Sequence, residues 1–383
     1  MKNSNELRND GLIAIVGAGP GGATLARLLQ LRGYKVKVFE RDASATARPQ
    51  GGSLDLRPDS GQLAIDAAGL GDVFARSSRD EAKAFRMADS QGNDLPGMGE
   101  ETHEDAGPEI DRGDLRQLLL DSLAPDTVAW DHAVEDVHPE ADGRWRIEIK
   151  GRAPVVADLV VGADGIRSNV RRRLTPVQPR YTGVTMIAAN IRKELWRGSE
   201  VDRLLGEGSV MFADGKRTIF VQRCNHDLIL LYYSMNVPEG WPKMAGFGLD
   251  DKQAIMAAVG EAYREWSPEL MAMLTDVRDK FQLWPCNVMP PEYRWETQPG
   301  LTMLGDASHV MPPFTGKGVN LAMLDAFELA NVLTDGSTND LTAAIKSFEA
   351  RMQERTANEI GACLAIGQQM YGINLDFAPP AEA

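Results

Sequence analysis

The chain has 383 residues, 43% of them hydrophobic and 25% charged, with a formal net charge of −14. This length allows two domains, and the composition is that of an ordinary globular enzyme rather than a disordered or membrane-spanning chain. The acidic balance repels nucleic acid and anionic membrane, and no apolar run approaches the ~18 residues needed to cross a bilayer. The polar first ten residues are not a secretory signal, so a cytoplasmic location is expected. Cys224, Cys286 and Cys363 lie far apart with no Cys-x-x-Cys spacing, which argues against a disulfide framework or a zinc site.

Ile13 to Val16 are four consecutive apolar residues and predict a buried strand. Gly17, Gly19 and Gly22 follow at the spacing of a dinucleotide fingerprint. Gly17 permits a tight strand-to-helix turn, Gly19 lets the backbone approach a pyrophosphate, and Gly22 brings the helix close to the sheet. The helix carries Leu25, Leu28 and Leu29 and stops at Gly33, with its N-terminal N–H groups aimed at the phosphates. Val36 and Val38 then form a parallel strand ending on Glu40, 18 residues past Gly22, where a carboxylate can accept both ribose hydroxyls. An acid there disfavours a 2′-phosphate, which leaves NAD or FAD.

Arg41 opens a polar, breaker-rich loop from Asp42 to Gly52, either functional or merely solvated. Pro58-Asp59-Ser60 supplies an N-cap for a helix with Leu63, Ile65 and Ala67, stopped by Gly69. From Glu109 a second helix is expected, with Leu115, Leu118, Leu119 and Leu123 as its apolar stripe. Arg112 and Arg116 share one face of it, as cofactor ligands or surface cations. Val128 to Trp130, Val134 to His138 and Trp145 to Ile149 alternate between turns and predict a small antiparallel ribbon. A buried strand, Leu159 to Val161, then runs into Gly162-Ala163-Asp164-Gly165 and a short basic helix through Arg173.

From about Leu174 to Asp276 the pattern becomes strand-rich, with Val184 to Ile191, Thr218 to Gln222 and Leu228 to Ser234, and with a helix over roughly Asp251 to Trp266. This predicts a second, sheet-based domain. Its Met186, Met211, Phe212, Tyr232, Tyr233 and Met235 would suit an apolar pocket or plain core. Beyond it, a strand from Leu301 ends in Gly305-Asp306, passes through a proline loop, and opens a helix at Gly318-Val319-Asn320. A long helix from about Leu341 to Tyr371 precedes a Pro/Ala tail.

The fingerprint with Glu40, the Asp164-Gly165 pair after a strand, and Gly305-Asp306 with Pro312-Pro313 and Gly316-x-Gly318 together resemble the class A FAD-dependent aromatic hydroxylases with a para-hydroxybenzoate-hydroxylase-like fold. Gly51 to Leu56, Asp111 to Arg116 and Gly305 through Asn320 are most similar to the TetX-type tetracycline-inactivating monooxygenases. The resemblance implies an α/β fold: a Rossmann-like FAD-binding domain, a sheet-based substrate domain and a long C-terminal bridging helix. It assigns 1–66, 93–172 and 273–345 to the FAD-binding domain, 67–92 and 173–272 to the substrate domain, and 346–372 to the bridging helix. A helical stretch near Ala67 to Gly92 would lean on the substrate domain.

By the same resemblance FAD is the dinucleotide, held by Gly17, Gly19, Gly22, Glu40, Arg41, Asp55, Arg112, Arg116, Asp164, Asp306, Gly316, Gly318, Val319 and Asn320. Arg48 would serve NADPH, which must dock transiently because there is one fingerprint only. The implied activity is NADPH-consuming hydroxylation of an aromatic, polycyclic or phenolic small molecule by a flavin C4a-hydroperoxide formed from O2. No catalytic side chain and no metal is implied, and the protein is expected to be a monomer. His309 reads as an acid–base candidate or as a structural histidine. Met211, Phe212, Tyr232, Pro313 and Phe314 are candidate substrate contacts. In an approximate alignment Ala188, Ser209 and Leu231 replace the polar side chains that grip tetracycline, so the natural substrate could be another aromatic compound of catabolic or biosynthetic origin. A flavin reductase or a ligand-sequestering flavoprotein would carry the same cofactor motifs.

Overall fold

Apolar residues at every position of Ile13–Val16 require cover on both faces of the strand, and the structure supplies it. The computed structural model describes residues 11–48, 50–79, 85–95, 107–192, 196–198, 200–205, 208–225, 228–248, 250–275, 277, 280–336 and 340–377. The chain begins with β1 (Leu12–Val16), α1 (Pro20–Leu31) and β2 (Lys35–Phe39), then β3 (Ser53–Asp55), α2 (Gly61–Ala67), α3 (Gly71–Ser77) and β4 (Phe85–Asp89). β5 (Glu109–Asp111) runs directly into α4 (Arg112–Asp121), and β6 (Val128–Ala129) follows. Next come β7 (Val134–Pro139), β8 (Trp145–Ile149), β9 (Val155–Ala157), β10 (Leu159–Gly162) and α5 (Arg171–Leu174). The second part contains β11 (Arg180–Arg192), α6 (Glu200–Leu205), β12 (Ser209–Ala213), β13 (Thr218–Arg223) and β14 (Leu228–Asn236). It continues with α7 (Trp241–Met244), α8 (Lys252–Ala262), α9 (Pro268–Thr275) and β15 (Gln282–Val288). β16 (Leu301–Met303), α10 (Asp306–His309), α11 (Gly318–Thr334) and α12 (Leu341–Tyr371) complete it.

A five-stranded parallel sheet in the order β16-β10-β1-β2-β6 carries the nucleotide fingerprint. Ile13 and Ile15 pack with α1, α2, α4, α11 and α12 on one face, whereas Ala14 and Val16 meet the antiparallel β7-β8-β9 sheet on the other. The second sheet, β15-β11-β14-β13-β12-β4, has one face covered by α6, α8 and α9. Its period-2 alternation sends Ile219, Val221, Leu231 and Tyr233 into that helix-covered core and leaves Phe220, Gln222 and Tyr232 on the opposite face. α12 joins the two parts. Phe348 and Met352 pack on the parallel-sheet side, while Tyr371 bonds Thr218 Oγ1 at 2.8 Å on the other sheet. No helix among the described residues is long and apolar enough to cross a membrane.

Three expectations change. Val128–Ala129 extends the parallel sheet, with Val38 opposite Val128, because it lies at the edge of β2 and not beside β7. Within 67–92, α3 ends at Ser77 and buries Phe74 in the parallel-sheet core, and Phe85–Asp89 is a strand paired with β12, so this stretch is not one helix on the second domain. β15 lies past the expected boundary at 273 yet is paired with β11, which places it in the second sheet. The first ten residues and the Pro/Ala tail lie outside the described residues.

The second core has one polar anchor open to test. The Tyr263 hydroxyl is fully buried, 3.0 Å from the Thr218 carbonyl and 2.8 Å from that of Ser234. Tyr263→Phe removes the donor and is expected to cost about 1–3 kcal/mol, read as a lower denaturant midpoint at unchanged m-value. FAD content should stay at the wild-type level.

Candidate active site

A single cavity of about 900 Å³ runs from the N-terminus of α1 to the open face of the second sheet. At the α1 end, Gly17 has φ +107° and a Cβ there would meet the Ala163 carbonyl at 2.3 Å; a Cβ on Gly22 would meet the Gly17 carbonyl at 2.1 Å. Only glycine allows this turn. A Cβ on Gly19 would meet nothing within 4 Å, because that position faces the cavity. Glu40 is buried, and its two carboxylate oxygens accept from Ala18 N at 2.7 Å and Asp42 N at 2.9 Å, which fixes their direction at the cavity wall.

Farther along lie Asp55, Arg112, Asp164, Asp306, Gly316, Gly318 and Val319. Asp164 accepts from Asn169 N through Oδ2, while its buried Oδ1 has no hydrogen-bond partner; burial pushes this carboxyl up. An orphaned acceptor beside an open glycine and a helix N-terminus fits a hydroxyl-bearing dinucleotide. The residues present therefore fit FAD.

The far wall is the open face of the second sheet. Met186, Ser209, Met211, Phe220, Gln222, Tyr232 and Trp284 line it, with Pro313 and Phe314 opposite. Phe220 stacks on Tyr232 at 6.2 Å and Tyr232 meets Trp284 at 5.5 Å, which gives a wall of aromatic edges and faces suited to a planar guest. Glu109 also lines this cavity.

Most sequence-predicted residues converge here: Gly17, Gly19, Gly22, Glu40, Arg41, Arg48, Asp55, Arg112, Asp164, Asp306, Gly316, Gly318, Val319, Met211, Tyr232, Pro313 and Phe314 all line the cavity. Three do not. Phe212 points to the helix-covered core because strand alternation places it opposite Met211. Arg116 is buried beneath the loop, donating to the carbonyls of Ala18 at 3.0 Å and Ala45 at 2.9 Å, so it shapes the cradle from behind. Asn320 accepts from Arg57 N at 2.8 Å and donates to the Asp55 carbonyl at 2.8 Å, bracing the chain after β3. The same alternation moves Leu231 into the core, so Tyr232 is the cavity residue at that level.

His309 is structural in its contacts. Its Nε2 lies 2.6 Å from Asp325 Oδ2, and both residues are buried. Burial pushes the Asp325 carboxyl up, but His309 and Arg355 outweigh it and hold the group below its ordinary range. Sequence reasoning missed Glu109 and Gln222 as cavity residues: the first sits on a three-residue strand read as helix, and the second needs the strand's phase to be known.

Residues 11–201 and 280–353 match the family described as FAD binding domain. The chain belongs to that family, the class A FAD-dependent aromatic hydroxylases, and is a flavin-dependent monooxygenase. It is 29% identical over 368 residues to monooxygenase penA of Penicillium thymicola, covering 84% of each protein. It is 29% identical over 366 residues to the phenazine 1,6-dicarboxylic acid hydroxylase PhzS of Lysobacter antibioticus, covering 88% of this chain and 85% of that protein. Tetracycline destructase Tet(55) shares the fold, with a TM-score of 0.74 at 19% identity over 97% of this chain and 93% of that one. The interval between the two matched segments holds β12, β13 and β14, three of the six strands of the second sheet, which supply Ser209, Met211, Phe220, Gln222 and Tyr232 to the far wall.

Gly19 and Gly22 separate cofactor binding from folding. Gly19→Leu places its side chain in the cavity at an ordinary φ of −75° and is expected to give a folded protein with less than about a tenth of the wild-type FAD per chain. Gly22→Ala drives a Cβ into the Gly17 carbonyl and should lower the melting temperature as well. Flavin absorbance and thermal denaturation on both variants check this.

Proposed function

We propose that the protein consumes NADPH and O2 to hydroxylate a polycyclic or phenolic small molecule, with tetracyclines as poor substrates. The observation that carries this reading is the continuity of the cavity: a dinucleotide cradle at one end and an aromatic sheet face at the other. FAD bound there supplies the oxygen chemistry, since reduced flavin activates O2 for transfer to an aromatic ring. The residues bind, orient and exclude water. The N-terminus of α11 and Asp306 face the cavity where the polar edge of a flavin ring would lie, and a helix N-terminus favours negative charge on that ring.

Tetracycline destructases share this fold, which supports a polycyclic guest. Against tight tetracycline binding, Ser209 is the small hydroxyl on the wall, and Ala188, in the apolar cluster with Met186 and Tyr232, has no polar side chain to offer. Loss of two hydrogen bonds at ~1–3 kcal/mol each weakens an identical pose by one or more orders of magnitude. Weak turnover, with a micromolar or poorer KM, is expected. NADPH consumption and product mass across a panel of tetracyclines and phenols test the reading. A gain of one oxygen in a product supports it, and NADPH oxidation with no oxygenated product from any member overturns it.

Arg48 sits at the cavity rim, half-exposed and 3.1 Å from Asp42. A transient phosphate is a fitting partner for such an exposed guanidinium. Arg48→Ala should raise the KM for NADPH about tenfold and leave FAD content unchanged, as measured by steady-state kinetics and flavin absorbance.

A further inference from the structure

Where the two parts of the molecule meet, one carboxyl group faces the aromatic end of the cavity. Glu109 lies on β5 with its side chain 12% exposed, and it lines the same space as Phe220, Gln222 and Tyr232. Its orientation is fixed from two sides. Ser53 N donates to Gln222 Oε1 at 3.1 Å, which turns the amide nitrogen of Gln222 toward Glu109, 3.3 Å from each carboxylate oxygen. The backbones of Glu109 and Arg79 exchange two hydrogen bonds, of 2.8 and 3.1 Å, and so lock their positions.

Arg79 pairs more closely with Asp111 than with Glu109. Its Nη2 donates to Asp111 Oδ1 at 2.9 Å and to the Ser53 hydroxyl at 2.8 Å, and stands 3.9 Å from the Glu109 carboxylate. Among the described residues, the other ionisable groups around Glu109 are Asp55 on β3, itself paired with Arg57 at 3.1 Å, Asp111 on β5, and the buried Cys224 thiol, which burial pushes up to about 12. Arg112 lies near Tyr232 on the cavity wall. Glu109 is thus a buried acid with donors on one side and open cavity on the other. Burial pushes its carboxyl up to about 7, with Ser53 and Arg79 opposing that rise.

We propose that Glu109 recognises a phenolic hydroxyl of the substrate and takes its proton during oxygen insertion. This rests on the monooxygenase reading above. The phenolic O–H bond breaks, an O–H bond forms on Glu109, and the electron pair stays on the phenolic oxygen, where it raises the electron density of the ring. When the oxygenated ring carbon releases its own proton to solvent, the C–H electron pair returns to the ring, the phenolic oxygen recovers a proton from Glu109, and the aromatic ring is restored. An acceptor with a protonation midpoint near neutrality suits such a transfer. A carboxylate in this position also opposes acidic substrates and favours neutral phenols.

The test uses the FAD-loaded enzyme with 1-naphthol and its methyl ether, 1-methoxynaphthalene, as probes, with binding read from perturbation of the flavin spectrum. Ionised Glu109 accepts from the naphthol hydroxyl and has nothing to accept from the ether. Wild type should bind naphthol roughly tenfold more tightly than the ether above pH 7, and the preference should fade as Glu109 is protonated below it. Glu109→Gln should lose both the preference and its pH dependence at unchanged FAD content, and Glu109→Asp should restore part of the pH dependence. Absence of discrimination in wild type, or the same preference and pH profile in Glu109→Gln, overturns the proposal. Because binding needs neither NADPH nor oxygen, naphthol recognition without oxygen insertion into naphthol or any phenol of the panel would sink the phenol-hydroxylation reading alone. Equal oxygenation of naphthol and its ether would sink this one alone.

Discussion

The close approach of α1 to β1 governs the rest of the molecule. Gly22 packs so tightly that a single added carbon would lie 2.1 Å from the Gly17 carbonyl, and Gly17 in turn abuts Ala163 on the neighbouring β10 connection. That contact aims the N-terminus of α1 into the cavity and brings the β1 and β10 loops together, so Glu40 and Asp164 both reach the same space. The parallel sheet is therefore a means of holding a helix end and two carboxylates at fixed separation, and the second sheet completes the cavity from the far side.

Charge is managed locally in an acidic chain. Arg116, buried beneath the cradle, lies 3.8 Å from Glu40 and 3.5 Å from Asp42, while its remaining donors hold the carbonyls of Ala18 and Ala45. One guanidinium thus fixes the loop that carries Glu40 without contacting the cavity itself. At the other end, Arg79 ties Asp111 and Ser53 together and leaves Glu109 as the less compensated acid. The two ends differ in outcome: Arg116 ion-pairs the carboxylate at the cradle, whereas at the aromatic end burial outweighs Arg79 and pushes the Glu109 carboxyl up to about 7.

The cofactor half was legible because its signals are local. Glycine spacing, a four-residue apolar strand and a helix punctuated by Gly33 all lie within one short stretch, and α12 spans Leu341–Tyr371 as expected, where the structure adds Asp340 as N-cap and Gly372 at φ +68° as the stop. The far wall was less legible, because which face of a strand meets the cavity depends on partners distant in sequence. Met211 and Phe212 look alike as adjacent apolar residues, and only the pairing of β12 with both β13 and β4 decides that one lines the cavity and the other the core. β4, five residues long, offered too short a pattern to separate from the helix before it. Arg116 and Asn320 match cofactor motifs yet act on neighbouring chain, a distinction that spacing does not encode.

FAD bound along the cavity would have its adenosine end at α1 and its ring at the second sheet. A crystal structure of the FAD-loaded protein would show this. The expected result is the pyrophosphate at the N-terminus of α1, a ribose on Glu40, and the flavin ring between the Gly51–Asp55 and Pro312–Gly318 segments with one face toward Tyr232. FAD seated with its ring outside that space, or turned away from the second sheet, would contradict it.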